Sequence, residues 1–301
     1  MFRPGFIAFL VAALFTVSYG GLRASAEEPV GGDMYAGATE CKNCHEARFE
    51  VFDHGIHGTS GYFDKNFIGC ESCHGPGVMH VVAGGDKTKI IGPSTWTQAQ
   101  ATGFCLNCHI KTPRLKYWEG SIHQRAGLMC HDCHKVSFSR ATLDKLLFKG
   151  TSQADACLRC HTEIRIALSQ RSRHPLRDSS RPDAEGNMVC TDCHNPHGTV
   201  ADHLVDANSI NDKCWQCHME KKMPVLWEHA PVKENCLNCH TPHGSSNKSL
   251  LNQPESFLCF SCHPQGHVGS VNNRWAVSRG CLNCHSMIHG SNNPSGVMLG
   301  Q

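Results

Sequence analysis

Residues 234–245 read ENCLNCHTPHGS, with Cys236 and Cys239 three positions apart, His240 directly after them, and a second histidine, His243, three residues further on. The pattern C-x-x-C-H is the attachment signature of c-type haem. Cysteines at i and i+3 lie on one side of a helical turn, where both sulfurs can add to the vinyl groups of one haem. The histidine that follows binds the iron as its proximal ligand.

The pattern occurs ten times and uses all twenty cysteines of the 301-residue chain. Disulfides or paired zinc knuckles would also consume cysteines, but neither explains a histidine after every second one. The sequence therefore predicts ten covalently bound c-type haems. The haem-bearing cysteines are Cys41, Cys44, Cys70, Cys73, Cys105, Cys108, Cys130, Cys133, Cys157, Cys160, Cys190, Cys193, Cys214, Cys217, Cys236, Cys239, Cys259, Cys262, Cys281 and Cys284. The proximal ligands are His45, His74, His109, His134, His161, His194, His218, His240, His263 and His285.

The remaining histidines fall almost one to each gap between motifs, which predicts a second histidine ligand at nearly every iron. These distal ligands are His57, His80, His123, His174, His197, His229, His243, His267 and His289. His243 is too close to His240 to reach the same iron, so we expect it to serve a neighbouring haem. Iron held by two histidines has no open position for a substrate and only passes electrons.

The tenth distal ligand is less determined, because the gap from His134 to Cys157 contains no spare histidine. The candidates are His131, His54 and His203. His131 is favoured, since it lies inside the fourth motif, CHDCH, and points away from that haem toward an adjacent iron. Its other ring nitrogen is expected to be held by a backbone carbonyl. His54 remains the alternative, because two close histidines, His54 and His57, can serve two haems.

The N-terminus predicts a secretory signal peptide over residues 1–26. Arg3 precedes an apolar run of twelve residues, Phe6 to Val17, and Ala24-Ser25-Ala26 forms a small-x-small cleavage site. The alternative is a retained anchor helix, although the run is short for a membrane span. After cleavage we expect no transmembrane segment. The formal net charge of +2 gives no reason to expect a nucleic-acid partner.

Frequent Gly and Pro and the lack of long apolar periodicity predict that the haems themselves form the core. The expected fold is a multihaem cytochrome c, with short helices and irregular loops around an extended haem array and almost no sheet. Motif spacing is loose up to Cys190 and tight after it, which suggests two pentahaem regions, 27–175 and 176–301, with a boundary within 162–189. A continuous ten-haem array is the alternative.

Four stretches resemble the MtrA/DmsE family of periplasmic decahaem cytochromes. They are CESCHGPGVMH (70–80), CTDCHNPHG (190–198), LWEHAPVKENCLNCHTPHGS (226–245) and CLNCHSMIHGSNNPSGVML (281–299). The resemblance covers essentially the whole mature chain and carries over the nine distal histidines given above. One departure is Ser137, which stands where a histidine is expected soon after the fourth motif.

The resemblance implies an electron conduit held inside an outer-membrane β-barrel porin, periplasmic and associated with the outer membrane. Its partners would be that porin and multihaem cytochromes in the periplasm and outside the cell. Electrons would cross the outer membrane without conversion of a substrate, so the chain is not expected to be an enzyme. The alternatives are a self-polymerising extracellular filament and a multihaem reductase with one open haem site.

Overall fold

The computed structural model describes residues 34–59, 69–134, 152–176, 188–264 and 280–294. All twenty motif cysteines lie in these ranges, as does every predicted histidine ligand except His267. The predicted signal peptide, Ser137 and His267 lie outside the described residues.

Short helices make up the regular structure of the described residues. The α-helices are α1 Ala38–Asp53, α2 Ile56–Thr59, α3 Glu71–His74, α4 Val78–Val82, α5 Gln98–His109, α6 Ile122–Arg125, α7 Cys130–Cys133, α8 Gln153–Leu158, α9 Thr162–Leu168, α10 Cys190–Cys193, α11 Ile210–Trp215, α12 Ala230–Glu234 and α13 Glu255–Cys262. Single 3-10 turns cover Lys87–Lys89, Pro113–Leu115, Asp202–Leu204, Met219–Lys221, Cys236–Asn238, Lys248–Leu250 and Cys281–Asn283. Most of these elements contain, precede or follow a C-x-x-C-H motif.

Capping side chains start the helices that lead into the motifs. Ser152 and Ser209 accept hydrogen bonds from the backbone N–H groups three residues later, each over 3.0 Å, at the starts of α8 and α11. Thr97 and Gln100 form a reciprocal capping box at the start of α5. Short polar side chains at these positions satisfy N–H groups that a helix start otherwise leaves unpaired.

The motif histidine ends the helical turn. His134 and His194 have extended backbone angles directly after α7 and α10. Even inside α1, the longest described helix, His45 has non-helical angles and marks a kink. The helices are therefore short because each motif turns the chain away at its histidine.

No β-strand occurs in the described residues, where the sheet-like pairing is limited to isolated bridges such as Ser172–Ser245 and Trp227–Ser291. This confirms the prediction of short helices and irregular loops with almost no sheet. The two loops that follow motifs 6 and 8, counted from the N-terminus, repeat one another. Asn195 N–H donates to Leu204 over 2.9 Å, and Thr241 N–H donates to Leu250 over 2.8 Å.

Side chains alone form very little core in the described part of the chain. Only six hydrophobic residues there are buried, and none of the large side chains is fully enclosed. Large apolar side chains remain exposed beside the motifs, among them Val82 at 77% and Phe257 at 70%. Such surface is costly in water unless another apolar group covers it. The expectation that haem supplies the missing core fits this distribution.

Within the described residues, no helix has both the length and the apolar character needed to cross a membrane.

Candidate haem sites

Each C-x-x-C-H motif is one turn of chain that closes at its histidine. In eight motifs the histidine N–H donates to the carbonyl oxygen of the first cysteine over 2.9–3.1 Å. The other two motifs lie within α1 and α5. The turn places both thiols of a motif on one side, as attachment to a single porphyrin requires. No disulfide joins any of the twenty cysteines.

Eight predicted proximal histidines lie opposite a predicted distal histidine, with ring centroids 5.9–6.3 Å apart. The pairs, proximal residue first, are His45–His80, His109–His57, His134–His197, His161–His123, His194–His243, His218–His174, His240–His289 and His263–His229. Every pair spans at least one whole motif in the sequence.

This spacing fits an iron atom between the two rings. Two imidazole–metal bonds of about 2 Å, plus the distance from each nitrogen to its ring centre, separate the centroids by roughly 6.3 Å. When two rings pack directly on one another, the distance between their centroids can be as short as about 4.5 Å. The histidine pairs therefore leave room for one metal-bearing plane between each two rings.

Hydrogen bonds fix the tautomer of the paired rings. Nδ1–H of His80, His123, His174 and His229 donates to a backbone carbonyl oxygen over 2.7–3.0 Å. On the proximal side, His194 and His240 donate in the same way to His203 and Ser249. A ring that holds its proton on Nδ1 presents the Nε2 lone pair to a metal.

Burial keeps several distal imidazoles neutral. It lowers the pKa of His197 to about 4, and the nearby His134 and Arg114 act in the same direction. Burial also lowers the pKa of His229, His243 and His289. Neutral imidazole is the form that ligates a metal.

In the loops that follow motifs 6, 8 and 10, the residue on each side of the distal histidine has a structural role. The residues before these histidines, Pro196, Pro242 and Ile288, accept the Nδ1–H of His123, His174 and His229. The residue after each distal histidine is a glycine packed against another segment, such as Gly244 against the backbone of Ala167. One loop thus positions the distal ligands of two different motifs.

The pairs also follow a regular order along the chain. The proximal histidines of motifs 4, 6 and 8 face a histidine from the loop after the second-next motif, as His194 of motif 6 faces His243 after motif 8. Those of motifs 3, 5, 7 and 9 face a histidine that precedes the previous motif, as His263 faces His229. His243 therefore lies beside His194 of motif 6 and not beside His240.

Cysteines of successive motifs lie close to one another. The first cysteines of motifs 1 and 2, 3 and 4, 5 and 6, 7 and 8, and 9 and 10 are immediate neighbours. At the intervening steps, Cys73 lies near Cys108, Cys133 near Cys157, Cys193 near Cys217 and Cys239 near Cys262.

The remaining predicted ligands stand outside these eight pairs. Among the described residues, His74 has no histidine ring at the common spacing and instead lies 6.2 Å from Trp96. His131 is edge-on to the same indole at 5.4 Å. Its Nδ1 is buried without a hydrogen-bond partner, so the carbonyl partner expected from the sequence is not seen. The predicted distal ligand His267 lies outside the described residues.

Sequence reasoning missed the supporting residues. The carbonyl acceptors Pro196, Pro242 and Ile288 and the glycines that follow the distal histidines have no metal-binding chemistry of their own. The sequence did contain a signal for these loops, because the similar stretches NPHG, TPHG and MIHG follow three of the motifs. Trp96 carried no such signal.

Ten C-x-x-C-H turns, with histidine rings paired at the spacing of an axially ligated iron, define a multihaem c-type cytochrome. Comparison with known proteins agrees. The family model described as the doubled CXXCH motif matches residues 181–223 and 229–267. The chain is 38% identical over 281 residues to the multiheme cytochrome MtrA of Shewanella baltica (strain OS185), covering 87% of this chain and 81% of that protein.

The chain belongs to the MtrA family of multihaem cytochromes. It carries covalently bound c-type haem and functions in electron transfer.

Proposed function

We propose that the chain is a decahaem conduit that carries electrons across the outer membrane, inside a β-barrel porin, between periplasmic donors and extracellular acceptors. The observation that carries this proposal is the set of eight histidine pairs at the spacing of two axial ligands. A pair of neutral, hydrogen-bonded imidazoles closes both axial positions of an iron, which suits electron transfer and leaves no position for a substrate.

Each motif would hold one haem through its two cysteines and its proximal histidine. The eight histidine pairs would hold the iron at motifs 1 and 3–9. At motif 10 the ligands would be His285 and His267, the distal histidine that the family resemblance implies. When bound, each haem supplies a one-electron Fe(III)/Fe(II) couple. Two sulfur bonds and two imidazoles would hold each haem in a fixed position.

The ten motifs would form one uninterrupted series. Cysteines of each motif lie close to cysteines of the next, and at the step from motif 5 to motif 6 these are Cys157 and Cys190. That step crosses the predicted boundary between regions 27–175 and 176–301. The division into two pentahaem regions stays a prediction, and the cysteine contacts support the continuous array.

The porin and the cytochromes on either side of it are proposed from the family resemblance. A barrel is the membrane-spanning structure with a lumen, and a large strand number makes that lumen wide. The chain would enter the lumen as a folded holoprotein after export by its predicted signal peptide. We place it in the periplasm, in association with the outer membrane.

Co-purification from outer membranes tests this assignment. The tagged mature protein, captured from detergent-solubilised outer membranes, should bring with it a heat-modifiable β-barrel protein in constant ratio to haem. The matched control is the same tag on an unrelated periplasmic protein. Recovery of the chain only as a free soluble species, from cells with an intact outer membrane, would contradict the conduit.

A further inference from the structure

The second motif differs from the eight motifs whose histidines are paired. Its proximal residue, His74, has the usual support, since its Nδ1–H donates to the carbonyl oxygen of Ile91 over 2.8 Å. In the described residues, however, no histidine ring faces it at 5.9–6.3 Å. Its aromatic neighbour is Trp96, with ring centroids 6.2 Å apart.

The order of the other pairs shows where the missing ligand belongs. The proximal histidines of motifs 4, 6 and 8 each face a histidine three or four residues beyond the proximal histidine of the second-next motif: His197, His243 and His289. Applied to motif 2, this order points to the chain just after His134 of motif 4. The residue three positions on is Ser137, which cannot replace an imidazole as a ligand to low-spin iron.

His131 lies in motif 4 itself, three residues before His134. Its ring and that of His74 both contact Trp96, so His131 and the motif that lacks a partner meet at the same indole. Both Nδ1 of His131 and Nε1 of Trp96 are buried without a hydrogen-bond partner. Buried polar nitrogens are rarely left unpaired in folded proteins, and a bond to iron would satisfy Nδ1 of His131.

The two rival histidines lie outside the cluster around Trp96. His54 is exposed at the end of helix α1, and no ring contact joins it to His74 or Trp96, although its Nδ1–H donates to the carbonyl oxygen of Glu50 over 2.8 Å as in the paired rings. His203 is exposed, and its backbone carbonyl supports His194 over 2.9 Å. Ser249 does the same for His240 in the next loop, so that position requires no imidazole.

We propose that His131 is the sixth ligand of the haem held by motif 2, taking the place of the absent histidine at position 137. The proposal rests on the proposed function, because it takes motif 2 to carry a haem like the others. Trp96 would lie against both axial ligands and hold them in register. The haem of motif 2 would then be the one whose distal ligand comes from within a C-x-x-C-H motif.

The test is a set of substitutions in the purified holoprotein, followed by electron paramagnetic resonance and magnetic circular dichroism. His131→Ala should convert one low-spin haem to high-spin, and adding Ser137→His to that variant should restore the low-spin signal. His131→Met should produce the near-infrared band of one methionine-ligated ferric haem and raise one reduction potential. His54→Ala and His203→Ser are the matched controls and should leave all haems unchanged.

An unchanged low-spin count in His131→Ala would overturn the proposal, as would loss of a low-spin signal in His54→Ala instead. If His131→Ala matures poorly, His131→Met decides: a methionine band supports the assignment, and its absence in the matured variant overturns it. These spectra need neither porin nor electron-transfer partners. A negative result here therefore contradicts the ligand assignment alone, whereas failed co-purification contradicts the conduit alone.

Discussion

The glycine after the distal histidine should be required for full stability in the loops that follow motifs 6, 8 and 10, and Gly244→Ala is the sharpest test. A Cβ at Gly244 would overlap the carbonyl oxygen of Ala167 and lie 2.6 Å from its carbonyl carbon. The surrounding backbone is fixed, because Ser172 and Ser245 exchange two hydrogen bonds of 3.0 and 2.8 Å beside it. The loop or the end of helix α9 must therefore move.

Overpacking of this kind costs about 1–3 kcal/mol, and we expect the upper end because both partners are backbone. A loss of about 3 kcal/mol in the free energy of unfolding lowers the melting temperature of a chain this size by roughly 6–12 °C. The displaced loop carries His243, so the iron shared with His194 should also lose part of its low-spin character. Thermal melts followed at the haem absorbance, together with paramagnetic resonance, measure both effects.

Gly103→Ala is the matched control. Gly103 lies inside helix α5, and a methyl group added there would meet no other atom within 4 Å. Alanine is the better helix former by up to about 1 kcal/mol, so this variant should melt at or above the temperature of the unsubstituted protein. Equal melting temperatures and unchanged spectra in both variants would refute the idea that the close approach at Gly244 positions His243.

Three further outcomes are expected. The intact mass of the purified protein should equal that of the mature chain plus ten haems, and a mass short by two or more haems would contradict the count. Paramagnetic resonance should show two classes of low-spin iron: rhombic signals from near-parallel rings such as His45–His80 at 12°, and strongly anisotropic ones from crossed rings such as His57–His109 at 70°. A single class would contradict the ring geometry. Native protein should bind neither carbon monoxide nor nitrite nor hydroxylamine, and turnover of one of the last two would favour a reductase.

The sequence predicted the local chemistry well, because the C-x-x-C-H motif is a local structure. Two thiols and an imidazole within five residues determine one turn of chain, and that turn recurs in the structure. The near absence of sheet followed from the same reasoning, since a chain interrupted at each histidine has no long extended segments to pair.

The partner of each proximal histidine could not be predicted from the sequence. The number of spare histidines shows how many irons can have two histidine ligands, but not which histidines pair. His134 faces His197 across two intervening motifs, and only the path of the folded chain determines this pairing. The hydrogen-bond acceptors of the distal rings could not be predicted either. Pro196 and Pro242 act through their backbone carbonyls, and a carbonyl is present at every residue.

Electron transfer across a sealed vesicle tests the conduit most directly. The complex captured with the tagged protein is reconstituted into liposomes that contain a trapped redox dye, and a membrane-impermeant reductant is added outside. The dye should be reduced rapidly in vesicles that contain the complex and should stay oxidised in vesicles that contain the porin alone. Dye reduction at the same rate with and without this chain, or no reduction with the intact complex, would contradict the proposed function.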